Sequence, residues 1–214
     1  MSSDMFKHEK KVLDIVQEYL NKNRVFEIDK VLPIISDRFA KAGVNVNMDG
    51  IRIILISLIE KNLLVEGSSL TKNMILLNIK RREIYAFVTN HPGAHFSKIV
   101  RETSFNDSVV AWHLKMLVKF QFIKKEEYNM RDIYFSAEME FESVKKIHVS
   151  SKVKSQKILY YLKENNIGLT KTQLAEALQM HPNTITKYLE ELEGFNLIIS
   201  DIIGNRILYF INEE

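Results

Sequence analysis

Two short runs put hydrogen-bonding side chains where a helix could present them to another molecule. The first is Ser108, Val109, Ala111, Trp112 and Lys115; the second is Asn183, Thr184, Thr186 and Lys187. Asparagine, threonine and lysine can bond base edges or phosphates, and Val109 and Ala111 can touch thymine methyls. Cationic groups surround both runs: Lys98, Arg101, Lys124, Lys125 and Arg131 near the first, Lys171 and Arg206 near the second. These suit phosphate contacts, which position a protein without reading sequence. Lys72, Lys80, Arg81 and Arg82 add a basic run upstream. Any one of these charges is more simply a solvated surface group; the set leans toward nucleic acid. Trp112 could stack on a base, but packing or partial exposure is the default reading. His91, His95 and His113 invite a metal site. Pro92-Gly93 breaks the helix between the first two, His95 suits a helix cap, and His113 falls on an inward face. No metal or other cofactor is therefore expected.

The elements that must carry these residues follow from periodicity and caps. Asn90-His91-Pro92-Gly93-Ala94-His95-Phe96-Ser97-Lys98-Ile99-Val100 reads as a turn and a short helix. Thr103-Ser104-Phe105 is a break, and Asn106 caps a second helix through Leu117. That is a helix-turn-helix pattern, whose second helix can enter a DNA major groove. Phe122–Tyr128 and Ile133–Phe135 flank the polar tip Asn129-Met130-Arg131-Asp132, a hairpin. Further on, Thr170-Lys171-Thr172-Gln173 is a capping box. His181-Pro182 opens a helix that stops at Gly194, and a second hairpin closes around Gly204-Asn205. Upstream, helices are predicted over Glu9–Asn21, Lys30–Ala42 with Asp29 as cap, and Asn47–Asn62. Brief strands are predicted at Val25–Ile28 and Leu63–Glu66. Leu70–Asn78 is ambiguous between strand and helix. Helix is preferred there, because Met74, Leu77 and Ile84 would share a face. Glu138–Ile147 reads as a linking helix.

Three stretches repeat one spacing. Asn106, Leu114, Leu117 and Phe122 recur at the same intervals as His181, Leu189, Leu192 and Leu197, and as Asn47, Leu55, Leu58 and Leu63. Gly93, His95 and Ile99 likewise match Gly168, Thr170 and Leu174. The expected architecture is mainly α with small β-hairpin wings, an α+β fold of three tandem winged-helix units. The units are 1–68, 69–148 (a central unit plus the linking helix) and 149–214. In the first, Ile51, Ile53, Ile54 and Ile56 make the long helix too apolar for a DNA-reading surface. They are read as interface residues of an interaction or dimerisation unit.

Composition narrows the classes. The 214 residues are 46% hydrophobic and 27% charged, typical of a globular chain, with a net charge of +3 that is compatible with nucleic acid. There is no cysteine, which excludes disulfides, thiolate metal sites and cysteine nucleophiles. Seven glycines leave no phosphate-cradling loop, and neither a nucleophile elbow nor a paired-carboxylate motif is present; no enzyme is expected. No apolar run is long enough to span a membrane, and the first residues lack an apolar signal core. A cytoplasmic, nucleoid-associated protein is the expectation.

Ile75-Leu76-Leu77-Asn78, Arg81-Arg82, Ile84-Tyr85, Asn90 to Ile99 and Trp112-His113-Leu114 resemble archaeal winged helix-turn-helix transcriptional regulators of the broad ArsR/MarR-like superfamily. The resemblance is good over residues 70–136, pattern-level over 150–212 and architectural over 1–68. It implies sequence-specific binding of double-stranded DNA, usually as a homodimer, with repression or activation of a promoter. Contact with transcription machinery would fit that role. Metal-sensing members use cysteine and histidine ligands, so that activity does not carry over. Tandem winged helices also serve as interaction scaffolds without DNA, as in ESCRT-II subunits and polymerase-associated factors, which is the alternative reading.

Overall fold

A computed structural model describes residues 2–212, with side chains from Phe6 onward. The expected unit limits at residues 1 and 214 lie outside it. The chain is mainly helical with two small antiparallel sheets. Three helices open it: α1 (Ser2–Leu20), α2 (Ile28–Lys41) and α3 (Met48–Glu60). Their inward stripes, among them Val12, Val16, Ile35, Phe39, Leu55 and Leu58, close one hydrophobic cluster. Glu27, not Asp29, is the N-cap of α2, so that helix starts earlier than its acidic cap signal suggests. The strands expected at Val25–Ile28 and Leu63–Glu66 do not form. Phe26 instead exchanges single main-chain bonds with Ser68 and Gly67, which ties the two segments without a ladder. No hairpin follows α3.

A second cluster is built on α4 (Lys72–Ile75), α5 (Ile79–Asn90), α6 (Phe96–Thr103) and α7 (Asp107–Lys119). The ambiguous segment is helical, as preferred, but only for one turn. Ile75 is its buried residue, while Leu77 is 73% exposed, so the face assumed for it is wrong. β1 (Ala94–His95) pairs with β3 (Arg131–Ser136), which pairs with β2 (Ile123–Tyr128), giving the order β1-β3-β2. Asn129 and Met130 both hold positive φ at the hairpin tip, the geometry a two-residue turn needs to match strand twist.

α8 (Phe141–Ser150) lies across the far face of that hairpin, where Phe141 and Val144 pack on Ile133 and Phe135. Its last turn gives Val149 to the third cluster. The expected boundary at 148 therefore falls inside a helix shared by two cores.

The third cluster repeats the second. α9 (Val153–Glu164), α10 (Lys171–Ala177) and α11 (Pro182–Gly194) lead into β4 (Ile198–Ile203) and β5 (Arg206–Ile211). Leu169 bridges Tyr209 as Ala94 pairs with Tyr134. The repeat extends to details that spacing alone does not give. Asn62, Gln121 and Asn196 all turn left-handed just after α3, α7 and α11. In each case the next residue donates back to the helix, Leu63 to Leu58, Phe122 to Leu117 and Leu197 to Leu192. Gly93 and Gly168 share positive φ at the turn into α6 and α10, and a Cβ on Gly168 would fall 2.4 Å from Phe210 Cζ.

Candidate nucleic-acid interface

The two stripes expected to read bases are built by caps. Asn106 accepts a bond from the Val109 amide, and His181 accepts one from the Asn183 amide through Nδ1. Each cap fixes the first turn, so the helix phase is set before any tertiary contact. With Val110, His113, Leu114 and Leu117 sealed inward, α7 must turn Ser108, Ala111, Trp112 and Lys115 outward, and all four are exposed. Val109 sits half-buried beside them. On α11, Ile185, Leu189 and Leu192 go inward. Asn183 and Lys187 are exposed; Thr184 and Thr186 are half-buried. The Thr186 hydroxyl donates to the Pro182 carbonyl, which occupies its proton and leaves its methyl and lone pairs.

The same phase explains α3. Asp49, Arg52, Ile53 and Ile56 hold the outward positions, and Arg52 is tied to Asp29 at 3.1 Å. Ile51 and Ile54 hold the positions of Val110 and His113 and lie in the core. Two of the four expected interface residues are therefore core residues. An outward surface on α3 can use only Ile53 and Ile56, with Met48 beside them.

The expected phosphate contacts divide into engaged and open groups. Arg101 pairs with Glu102, Lys125 pairs with Asp132, and Lys124 donates to the Met139 carbonyl beneath α8. The two ion pairs are exposed, so they are weak and exchange readily for a phosphate. Only Lys125–Asp132 lowers the free positive charge on the β2–β3 hairpin, while Lys124, bonded to a neutral carbonyl, keeps its charge. Arg131, Lys171 and Arg206 are exposed, and Lys98 is half-buried. Lys171 and Arg206 flank one cleft of about 580 Å³ between the start of α10 and the tip of the β4–β5 hairpin.

Arg81 departs most from expectation. Its place between Lys80 and Arg82 predicts a surface charge, yet it is 1% exposed. Its Nη1 donates to the Ile75 carbonyl at 2.9 Å, its Nε has no partner, and burial pulls its pKa below the usual arginine value. Its guanidinium lies 5.0 Å from the centre of the Trp112 ring. Cation and indole face thus hold one another, and the outer face of Trp112 stays open at 52% exposure. The signal was in the sequence: Arg81, Ile84 and Val88 form one helical stripe, so the arginine sits in an apolar row.

The histidines separate. His91 bonds the Phe87 carbonyl and stacks on the Phe87 ring. His95 is the N-cap of α6 but makes no capping bond; its Nδ1 is buried without a partner, and its ring packs on His148. His113 is buried under Trp112, and its pKa is depressed by burial first, then by the charges of Arg81 and Lys80. His148 donates from Nδ1 to the Gly93 carbonyl, and burial likewise depresses its pKa. Among the described residues, no helix is long and apolar enough to cross a membrane.

Residues 78–147 match a family described as HTH_HVO_0163_N, N-terminal HTH domain. The chain is also 31% identical over 145 residues to an uncharacterized HTH-type transcriptional regulator, MJ1398, of Methanocaldococcus jannaschii. That alignment covers 68% of this chain but 36% of the relative, so the chain spans about a third of the curated relative it matches. A solved structure, the DIP2311 protein of Corynebacterium diphtheriae, aligns over 84% of this chain and 39% of its own at 10% identity. Its TM-score of 0.28 is too low to transfer a fold. The matched family region contains α5 to α7, both strands of the first hairpin and most of α8.

Proposed function

We propose that this protein is a sequence-specific double-stranded DNA-binding transcriptional regulator, a binding protein and not an enzyme, that works as a homodimer. The observation that carries this reading is the pair of capped helices, α7 and α11, with outward stripes at equivalent positions of a repeated unit. The helix-turn-helix family match over the first of them supports it. We read residues 69–148 and 149–214 as two winged-helix units that engage DNA together. Residues 1–68 form a wingless relative of the same unit that serves interaction, through Ile53 and Ile56. Base contacts come from Ser108, Val109, Ala111, Trp112 and Lys115 and from Asn183, Thr184, Thr186 and Lys187. Phosphate contacts come from Lys98, Arg101, Lys171 and Arg206, with Lys124, Lys125 and Arg131 on the first hairpin. Titrating binding to DNA from the protein's own promoter region against salt tests the reading. Affinity should fall linearly on a log–log plot as counterions are released. Absence of any duplex retardation at low salt refutes it.

The scaffold alternative rests on the exposed isoleucines of α3 and the modest net charge. A stable heteromeric complex recovered from cells, with no affinity for duplex DNA, would establish it.

A further inference from the structure

The two hairpins occupy the same place in the repeat but treat their free edges differently. β2 is the edge strand of the first sheet and reads Ile123-Lys124-Lys125-Glu126-Glu127-Tyr128. Charges along an edge discourage another chain from pairing there. β4 is the matching edge of the second hairpin and reads Ile198-Ile199-Ser200-Asp201-Ile202-Ile203. Isoleucines stand where Lys124, Glu127 and Tyr128 stand in β2, and Ile199, Ile202 and Ile203 are 49%, 72% and 53% exposed.

The register shows which main-chain groups face outward. Tyr209 exchanges both of its main-chain bonds with Leu169, so it turns away from β4. Its partner Ser200 must then turn away from β5. Asn212 donates to the Leu197 carbonyl, which confirms the alternation. Ile198, Ser200 and Ile202 therefore present their main-chain groups at the open edge. The Ile202 amide there is held only by the carboxylate of the adjacent Asp201.

We infer that β4 pairs with β4 of a second copy of this chain, making a continuous four-stranded antiparallel sheet across a two-fold axis. The occupant is a second copy because the strand complements itself. With Ser200 opposite Ser200, Ile198 falls opposite Ile202 on one face, and all three outward-facing residues meet outward-facing partners. The shifted register would set Asp201 against Asp201 and is disfavoured by like charge. Pairing releases the Asp201 carboxylate to solvent and gives the Ile202 amide a main-chain acceptor. This deepens the homodimer part of the proposed function and does not require DNA.

Analytical ultracentrifugation of the full chain, without DNA and at about 0.5 M salt to suppress nucleic-acid bridging, tests it. The wild-type chain should sediment at twice its 25.0 kDa mass. Ser200→Pro removes an outward amide without touching a bond to β5. Ile202→Lys restores an edge charge of the kind β2 carries. Each should raise the dissociation constant at least ~10-fold with unchanged circular dichroism. If Ser200→Pro does not fold, Ile202→Lys at an exposed position decides alone. Paired Ile53→Lys and Ile56→Lys substitutions should leave the dimer intact. A monomeric wild type at about 100 µM, dimers that survive both β4 substitutions, or dissociation caused only by the α3 substitutions would each overturn the inference. Loss of DNA binding with an intact dimer would refute the DNA reading and leave this one standing.

Discussion

Acidification should weaken the fold through His113, and the size of the effect has a ceiling that can be worked out. Its imidazole is 4% exposed, its Nδ1 has no partner, and the charges of Arg81 and Lys80 oppose protonation. The folded pKa is thus depressed below the ordinary 6.5, while the unfolded chain keeps about that value. Below it, the unfolded state binds a proton that the folded state refuses. The contribution of His113 is therefore fully present above pH 6.5 and is lost as the pH falls toward the folded pKa. At pH 5.5 the loss reaches at most about 1.4 kcal/mol for one histidine, the free energy of one pH unit. His148 is also depressed by burial and loses stability over the same range, so a reference is needed. The repeat supplies one: Ile54 fills the same inward position on α3. Urea unfolding of wild type and His113→Ile at pH 7.5 and 5.5 should show the wild type losing up to ~1.4 kcal/mol more than the variant. Parallel losses would mean that His113 is protonated in the fold, and would refute the burial and charge account.

Other outcomes follow from the same geometry. Trp112→Ala and Lys187→Ala should each weaken specific duplex binding several-fold in a mobility-shift titration. Lys187→Ala should keep a melting temperature close to wild type because its side chain is exposed, whereas Trp112→Ala also takes the ring off the buried Arg81 and should lower the melting temperature without unfolding the chain. Asn106→Ala removes a side-chain cap and should cost about 1 kcal/mol in denaturant unfolding. Leu189→Ala leaves a hole in the third cluster and should cost ~2–5 kcal/mol, read as a lower urea midpoint.

Much of this architecture was legible because caps and turns carry local instructions. Asn106, the Thr170–Gln173 capping box and Pro182 mark helix starts by chemistry that acts within a few residues. The spacing of cap and core leucines then placed α3, α7 and α11 at their matching positions. The failures lie where burial, not local chemistry, decides. Ile51, Ile53, Ile54 and Ile56 look alike in a string, and only the phase imposed by packing against α1 and α2 divides them into core and surface. Arg81 looked like surface charge because its neighbours Lys80 and Arg82 are exposed. Leu63–Glu66 had strand-forming residues but no return strand to pair with, and a lone extended segment gains no ladder. For the candidate interface, the outward position of the α7 and α11 stripes was readable from periodicity. The partners of Arg101, Lys124 and Lys125 were not, because they come from side-chain placement and from a carbonyl at the entry to α8.

α8 sets a rule for the spacing of any bound DNA. It is anchored at one end on the first hairpin and at the other in the third cluster, and only Ser151 and Lys152 separate it from α9. One added residue within it would turn everything downstream by roughly 100° and advance it by about 1.5 Å. An operator engaged by both α7 and α11 would then have to keep its two half-sites in fixed rotational phase. Moving them apart by about 5 base pairs, half a helical turn, would put one half-site on the wrong side of the duplex, whereas a full turn would restore the face but stretch the reach. Variation in spacing between sites would then have to be matched by insertions or deletions in α8, which would couple the length of one helix to the layout of a promoter.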